Sequence, residues 1–225
     1  KKGTIVKLTV RRGGEKLNLA ITRDKVKLVS VSLSWTPDNI AKITLSSFGE
    51  NTISEFQSIV EEIQKKQTLG IVLDLRNNPG GFLHTALSIA GYFIRAGERV
   101  TVVKYADRED PQNSTGSAAL SSYKIVVLVN KGSASASEII AGALQDYVLA
   151  KVIGETTFGK GTVQELSDFS DGSSLRLTVA EWLTPKGRLI EKNGIAPDIE
   201  VKMTDEDRKA NRDPQMEKAL EELRK

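Results

Sequence analysis

The sequence contains no cysteine, a single histidine and few aromatic residues, which make up 5% of its 225 residues. Without cysteine the protein can form neither disulfides nor thiolate zinc sites, and it cannot use a cysteine nucleophile. No apolar run approaches the roughly 18 residues needed to cross a bilayer, so no membrane-spanning helix is predicted. The sequence also has no large excess of positive or negative charge, with 32 Lys and Arg residues against 29 Asp and Glu residues. Because these charges are scattered, the sequence does not favour nucleic-acid binding.

The sequence does contain strand patterns that alternate with helix patterns. Two alternating apolar runs, over 4–12 and 17–24, are separated by two glycines and predict a β-hairpin. A strand over 39–48 is followed by Thr52 and Glu55, whose capping-box spacing predicts the start of a helix. A β-α-β pattern of this kind is typical of an α/β core, in which strand-to-helix loops carry the chemistry.

The rest of the chain continues the same alternation. The helix that opens at Thr52 has an apolar face at helical spacing, and the last helix has Asp213 as its cap and Pro214 in its first turn. The further predicted elements are a buried strand over 70–76, a helix over 83–96, a polar mobile loop over 106–119, a buried strand over 123–130, a helix bearing Ile140, Ala143, Leu144 and Tyr147 on one face, strands over 151–154 and 175–182, and a C-terminal helix over 213–225.

The stretch GETTFGKGT at 154–162 nearly matches a nucleotide-binding phosphate loop. In such a loop a hydroxyl residue follows the lysine directly, and a helix begins there and points its N–H groups at the phosphates. Here Gly161 follows Lys160, and the next residues favour a strand. The sequence therefore argues against a nucleotide site, and Lys160 needs another explanation.

Three serines alternate with alanines over 133–137, where a buried strand gives way to a helix. A serine at a helix N-terminus lies beside free N–H groups that can stabilise an oxyanion, and this suits a nucleophile. The same place also suits a simple helix cap, which is the commoner role of such serines. Ser137, which is followed by Glu138, fits the capping role. From the residues alone, Ser133, Ser135 and Ser137 all remain candidates.

A nucleophilic serine needs a general base, and the only histidine, His84, lies on a predicted helix, where a lone histidine is more often a surface residue. A lysine can replace it when burial and the absence of a nearby carboxylate lower its pKa from about 10.4 towards neutrality. Lys160, flanked by glycines and Phe158, is the lysine best placed for this. If 160–164 is extended, Gln164 shares its face and can hold the amine without adding charge.

Five segments of the sequence resemble, in the same order, the motifs of one known family. They are LGIVLDLRNNPGGFL, VVLVNKGSASASEIIAGALQDY, VIGETTFGKGTVQEL, DGSSLRLTVAEWLTPKGRLIEKNGIAPDIEV and DPQMEKAL. Through them the chain resembles, from about Ile40 to Leu220, the C-terminal processing peptidases, or tail-specific proteases, of bacteria and chloroplasts. The resemblance implies an α/β fold, namely a tricorn/crotonase-like (ClpP-like) serine protease core with a mixed β-sheet and helices over 31–225. Residues 1–30 resemble the last two strands of a PDZ domain, a module that captures a peptide C-terminus.

The resemblance also assigns roles to single residues. The family's nucleophile matches Ser135, its general base matches Lys160, and the hydrogen-bonding support of that base matches Gln164. The implied oxyanion donors are the backbone N–H groups of Ala136 and of a glycine in the Asn-Pro-Gly-Gly turn, Gly81 or, less clearly, Gly80. No metal or cofactor is implied.

The activity implied by the resemblance is endoproteolysis near the C-terminus of a protein or peptide substrate with an apolar tail. The implied location is extracytoplasmic, in the periplasm or cell envelope, and a homodimer is one assembly that the resemblance allows. The PDZ loop that binds a terminal carboxylate is expected upstream of Lys1. We therefore assign no carboxylate-binding residues and expect weak tail selection.

Two other classes of protein stay open at this point. A catalytically silent binding module is one, because the family's fold also occurs in retinoid-binding repeats. A crotonase-type acyl-CoA enzyme is the other, since it shares the glycine-built oxyanion hole. The sequence offers no reason for such an enzyme to need Ser135 and Lys160 together.

Overall fold

The computed structural model describes residues 1–25, 29–66 and 68–225. The strands are β1 (Ile5–Arg12), β2 (Glu15–Thr22), β3 (Val31–Trp35), β4 (Ala41–Leu45), β5 (Ile71–Asp74), β6 (Arg99–Lys104), β7 (Glu109–Asn113), β8 (Ile125–Val129), β9 (Ala150–Gly154), β10 (Thr162–Asp168), β11 (Ser174–Leu183) and β12 (Ile199–Glu200). The helices are α1 (Thr52–Lys65), α2 (Leu83–Ala90), α3 (Ala136–Asp146), α4 (Asp205–Lys209) and α5 (Pro214–Arg224).

The core is a six-stranded sheet in the order β12-β9-β8-β5-β4-β3. All neighbouring pairs are parallel except β3 and β4, so the sheet is mixed, as predicted. Every residue of β5 and β8 is buried, which explains why both strands read as continuous apolar runs. The carboxyl ends of β4, β5 and β8 meet at one edge of the sheet, the usual place for a site in an open α/β sheet.

A second sheet of four strands has the order β10-β11-β6-β7. Its strands β10 and β11 form a long antiparallel hairpin, and β11 continues into pairing with β6. Strand β9 of the large sheet ends at Gly154, and β10, the next strand along the chain, begins in the small sheet at Thr162. The segment that carries Lys160 therefore connects the two sheets.

The predicted N-terminal hairpin is confirmed as β1 and β2, which pair with each other along their full length and form a separate sheet. Its exposed apolar side chains are Ile5, Leu8, Leu19 and Ile21. Its assignment to a PDZ domain and the boundary between 1–30 and 31–225 stay predictions. Residues 26–28 of that first unit lie outside the described residues.

Helix α1 buries the predicted apolar face, but its predicted capping box is wrong. The N-cap residue is Asn51, and the Thr52 hydroxyl accepts a hydrogen bond from the Gly49 N–H at 2.9 Å. Glu55 instead accepts from the N–H of Ser30 at 2.8 Å, because strand β3 begins beside the first turn of the helix. The buried face consists of Phe56, Ile59, Val60 and Ile63.

Two further sequence predictions are wrong in the same region. Helix α2 ends at Ala90 and not at residue 96, because the next two carbonyls accept hydrogen bonds from a later segment of the chain. The Gly91 carbonyl accepts from the Ala118 N–H at 2.9 Å, and the Tyr92 carbonyl accepts from the Leu120 N–H at 2.7 Å. The donors belong to the segment 106–119 and its continuation. That segment is not one exposed loop, since it contains β7 and the buried Ala118. Strands β3 and β6 were not predicted.

The C-terminal helix α5 matches its prediction closely. The Asp213 carboxylate accepts a hydrogen bond from the Met216 N–H at 3.0 Å and caps the helix, and Pro214 occupies the first turn. The stripe Met216, Ala219, Leu220 and Leu223 packs in a cluster with residues of the large sheet. Across the described ranges, no helix is long and apolar enough to cross a membrane.

Candidate active site

The turn after β5 is held to the sheet by a buried asparagine. Asn78 is fully buried, and its amide donates to the Leu45 carbonyl at 2.8 Å while its side-chain oxygen accepts from the Gly80 N–H at 2.9 Å. The Gly80 carbonyl in turn accepts from the Phe48 N–H at 3.0 Å. The Asn-Pro-Gly-Gly turn is thus fixed to the chain that follows β4.

Both glycines of this turn have a backbone that requires glycine. Gly80 has φ +98° and Gly81 has φ +151°, in the region that side chains with a Cβ rarely adopt. A Cβ on Gly80 would lie 2.8 Å from the Ser135 Cβ and 3.0 Å from the Ala136 nitrogen. The turn therefore lies directly against Ser135 at the start of α3.

The three alternating serines differ sharply in their surroundings. Ser133 and Ser137 are fully buried, whereas Ser135 is only partly buried. The Ser133 hydroxyl donates to the Leu75 carbonyl at 2.8 Å, and the Ser137 hydroxyl donates to the Asn78 carbonyl at 3.0 Å. Two of the hydroxyls therefore tie the start of α3 to the turn after β5, and only Ser135 is accessible to a substrate.

Ser135 itself has an unusual backbone. It is the N-cap residue of α3, with φ +56° and ψ −115°. A residue other than glycine held in such a sparsely populated region stores on the order of 1–3 kcal/mol of strain, and such residues cluster at functional sites. The strained turn places the serine at the N-terminus of α3, where the helix dipole favours negative charge.

Two backbone N–H groups beside Ser135 have no acceptor within the part of the chain that the structure describes. They belong to Ala136, the first residue of α3, and to Gly81. The Gly80 N–H, by contrast, is used by the Asn78 side chain. Of the two glycines considered from the sequence, Gly81 is therefore the one whose N–H has no acceptor among the described residues.

Lys160 does not have the setting expected from the sequence. Strand β10 begins at Thr162, so Lys160 precedes the strand and shares no strand face with Gln164. Both side chains are exposed, and the expected burial of Lys160 is wrong. Among the described residues, no hydrogen bond joins the Lys160 amine to the Ser135 hydroxyl or to Gln164.

The backbone of Lys160, however, is held close to that of Ser135. A single carboxylate oxygen, Glu138 Oε2, accepts from the Ser135 N–H at 2.8 Å and from the Lys160 N–H at 2.9 Å. A carboxylate is therefore present near the lysine, contrary to the sequence expectation, and it binds the backbone. The strand that follows Lys160, in place of a helix, also agrees with the rejection of a phosphate loop.

His84 is exposed on α2, where its ring stacks on Phe82 with 5.3 Å between the ring centroids. This agrees with the surface role expected of it. Within the described residues, no group of three or more His, Asp or Glu side chains could hold a metal ion.

Sequence reasoning missed a charged cluster at the same sheet edge. Arg76 follows β5 and donates to Asp74 at 2.7 Å and to Asp213 at 2.8 Å. Burial by itself would lower the pKa of Arg76, but hydrogen bonds to both carboxylates outweigh it and the pKa is raised. The cluster joins the cap of α5 to the sheet, and the signal in the sequence was a charged pair at the end of a buried run.

Comparison with known families settles what kind of chain carries this geometry. The model of Peptidase family S41 matches residues 39–201, most of the chain. The chain belongs to peptidase family S41. The matched range contains the glycine turn, Ser135, Lys160 and Gln164.

Curated relatives in this family include two bacterial proteins. The carboxy-terminal processing protease CtpA of Bacillus subtilis (strain 168) is 40% identical over 206 residues, which cover 91% of this chain and 44% of the relative. A probable CtpA-like serine protease of Staphylococcus aureus (strain COL) is 44% identical over 205 residues, covering 89% and 41%. The chain thus spans less than half the length of these relatives.

Two solved structures share the fold of this chain. The photosystem II D1 C-terminal processing protease is 32% identical with a TM-score of 0.73, covering 90% of this chain and 56% of that protein. The tricorn protease is 20% identical with a TM-score of 0.58, and the match covers all of this chain and 23% of the tricorn chain. At this identity the match shows the shared fold alone. The predicted tricorn-like α/β protease core is confirmed.

Proposed function

We propose that the protein is a serine-type endopeptidase that cleaves protein substrates near their C-terminus through Ser135 and Lys160. The observation that carries the proposal is the geometry at the start of α3. Ser135 is the accessible serine of the three and its backbone is strained. The N–H groups of Ala136 and Gly81, which have no acceptor among the described residues, lie in the adjoining segments. Membership in peptidase family S41 supports the reaction class.

The reaction is acyl transfer in two steps. Lys160, as the neutral amine, accepts the proton of the Ser135 hydroxyl, whose oxygen bonds to the scissile carbonyl carbon. The N–H groups of Gly81 and Ala136 bind the resulting oxyanion. The carbon–nitrogen bond breaks, and the leaving amine takes the proton from Lys160. Water then attacks the acyl-enzyme ester and gives its proton to Lys160. The bond between the acyl carbon and the Ser135 oxygen breaks, Lys160 returns that proton to Ser135, and the new carboxyl terminus leaves.

The exposed position of the Lys160 side chain adds a requirement. Because its amine is not hydrogen-bonded to Ser135 in this structure, the side chain must rotate towards the serine when the substrate binds. Gln164 supports the amine in that orientation by hydrogen bonding without adding a charge. Hydrogen bonds between catalytic groups are often long in free enzymes and tighten in the complex, so the resting geometry is compatible with this role.

The substrate class rests on the relatives. The Bacillus subtilis relative is named a carboxy-terminal processing protease, and we extend that specificity to this chain as a proposal. The substrate is a protein whose apolar C-terminal tail lies extended in a groove of the core. An extracytoplasmic location and a homodimer belong to the same proposal. Peptides with free and amidated C-termini would show how far the described chain selects tails.

Serine variants test the assignment of the nucleophile. Ser135→Ala should abolish both cleavage of an unfolded, apolar-tailed substrate and labelling by a fluorophosphonate probe. Ser133→Ala and Ser137→Ala should lose stability, because each removes a buried hydrogen bond to a backbone carbonyl, but should still be labelled. A probe adduct on Ser133 or Ser137, or labelling of Ser135→Ala, would refute the assignment.

Lysine variants test the base with a matched control. Lys160→Ala should abolish cleavage with the fold intact, as judged by circular dichroism. Lys131→Ala removes an 82% exposed lysine from the loop before α3 and should leave cleavage unchanged. Undiminished cleavage by Lys160→Ala would rule out the dyad. Absence of any labelling in the native protein would instead favour a silent binding module.

A further inference from the structure

A buried carboxylate collects four hydrogen bonds beside the proposed active site. Glu138 lies in the first turn of α3 and is fully buried. Its Oε2 accepts from the N–H groups of Ser135 at 2.8 Å and Lys160 at 2.9 Å. Its Oε1 accepts from the Thr157 hydroxyl at 2.5 Å and the Gly159 N–H at 2.6 Å. Each oxygen is therefore shared by two donors.

This set of contacts exceeds what a helix cap requires. A carboxylate at the third position of a helix ordinarily accepts one hydrogen bond, from the N-cap N–H, and here that donor is Ser135. The other three donors come from 157–160, a segment that belongs to a different loop. In the described part of the chain no Lys or Arg side chain pairs with Glu138. Since a buried carboxylate is costly unless its oxygens are satisfied, the two loops are held together around it.

We infer that Glu138 is a positioning residue that fixes the backbone of the nucleophile and that of the general base to a single point. The inference rests on the function proposed above. Because Oε2 binds both Ser135 and Lys160, the two main chains cannot separate without breaking a buried, charge-assisted hydrogen bond. The lysine side chain is free to rotate, but the place from which it starts is set by Glu138.

The lysine segment is also anchored on its far side, so it cannot simply follow a displaced carboxylate. The Thr157 hydroxyl accepts from the Ile195 N–H at 2.7 Å, and the Thr157 N–H donates to the Ile195 carbonyl at 3.2 Å. A Cβ on Gly194 would lie 2.6 Å from the Thr157 carbonyl oxygen. The segment is therefore packed between this loop and the start of α3. On the α3 side, loss of the carboxylate would leave one backbone hydrogen bond, from the Phe158 N–H to the Ser133 carbonyl at 3.0 Å.

Glu138→Gln is the direct test, because it keeps the size of the side chain and replaces one acceptor oxygen with a donor. Whichever way the amide is turned, its NH₂ group faces two of the four donors. We expect kcat to fall about 100-fold, the effect of misplacing catalytic groups by about 1 Å, with KM changed by less than about threefold. Fluorophosphonate labelling of Ser135 should slow in parallel, and amide hydrogen exchange over 157–161 should become faster.

Glu55→Gln provides a matched control. Glu55 is also in the first turn of a helix and also accepts backbone N–H groups from another segment, those of Ser30 and Val31. Within the described ranges, no hydrogen bond or ion pair joins it to Ser135 or Lys160. This variant should lose stability, yet its folded fraction should retain the native kcat and labelling rate. A merely structural role for Glu138 predicts the same behaviour for both variants.

A milder variant covers the case in which Glu138→Gln does not fold. Thr157→Val removes one of the four donors and keeps the side-chain shape, but it also removes the acceptor of the Ile195 N–H. It should lower kcat by a smaller factor and still speed exchange over 157–161. Native kcat and unchanged exchange in the folded variants would overturn the inference. The exchange measurement does not depend on catalysis. A native protein that neither cleaves nor labels therefore refutes the proposed function, whereas unchanged exchange refutes the role of Glu138.

Discussion

Gly81→Ala adds a single methyl group beside the proposed oxyanion hole. With φ at +151°, the new Cβ would lie 2.2 Å from the Phe48 carbonyl oxygen and 2.7 Å from its carbon. Real Cβ contacts are essentially never shorter than 3.0 Å, and both atoms belong to the backbone. Rotation of a side chain cannot relieve the clash, so the glycine turn itself must move away from Phe48.

The required movement sets the expected magnitude. Relieving the contact needs a shift of about 1 Å, and a displacement of that size in catalytic groups costs about 100-fold in rate. Loss of one oxyanion donor costs about 100- to 1000-fold in kcat, or roughly 3–4 kcal/mol of transition-state stabilisation. We therefore expect kcat to fall at least about 100-fold, together with a stability loss of about 1–3 kcal/mol from the strained φ.

The assay is cleavage of a fluorescently labelled, unfolded protein with an apolar tail, at a temperature at which the variant is folded. Gly187→Ala is the control, because Gly187 also has a positive φ, +81°, but nothing lies within 4 Å of its added Cβ. The control should lose stability and keep its native kcat. A Gly81→Ala protein that keeps more than about a third of the native kcat would refute the role given to this turn.

Three other predictions concern the base and the C-terminal helix. Lys160→Arg keeps the charge but cannot supply a neutral amine, so cleavage should vanish, and a variant that cleaves would show that another group is the base. Leu223→Ala removes a side chain that is 4% exposed, and the unfolding free energy in urea should fall by about 2–5 kcal/mol, whereas an unchanged urea midpoint would contradict the packing of α5. Partial burial alone would raise the pKa of Asp213, but its hydrogen bonds with Arg76 and with the Met216 N–H outweigh burial and hold the pKa below its ordinary value. This contribution to stability is present above the unfolded pKa of about 3.9 and is lost as pH falls below it through the lower folded value. Asp213→Asn should therefore flatten the loss of stability below about pH 4, and parallel curves for the two proteins in that range would refute the prediction.

Elements whose partners lie close in sequence, or whose burial is complete, were predicted well. Strands β5 and β8 are buried along their whole length, so their apolar runs identified them directly. Helix α5 carries its own cap, and the hydrogen bond from Met216 to Asp213 is local. In both cases the physics that forms the element is present in a few consecutive residues.

Elements that depend on a distant segment were predicted poorly. Helix α2 ends early because carbonyls at Gly91 and Tyr92 bind N–H groups of a segment about thirty residues further on. The same pairing orders part of 106–119, whose polar composition is typical of a loop. Glu55 likewise does not cap its own helix, because its carboxylate accepts a hydrogen bond from the N–H of Ser30, which lies in a distant segment.

The sequence by itself determined which candidate catalytic groups the protein has: three serines at the start of a helix, a lysine in a glycine-rich turn, and two adjacent glycines after a buried strand. It could not separate Ser133, Ser135 and Ser137, because alternation treats the three alike. The family resemblance points to Ser135, and the tertiary structure gives the physical distinction, by placing the other two hydroxyls against the Leu75 and Asn78 carbonyls and leaving Ser135 accessible. The same holds for Lys160, whose backbone reaches Ser135 through a buried carboxylate. A hydrogen bond between loops that are distant in sequence has no signature in consecutive residues, so only the folded structure shows it.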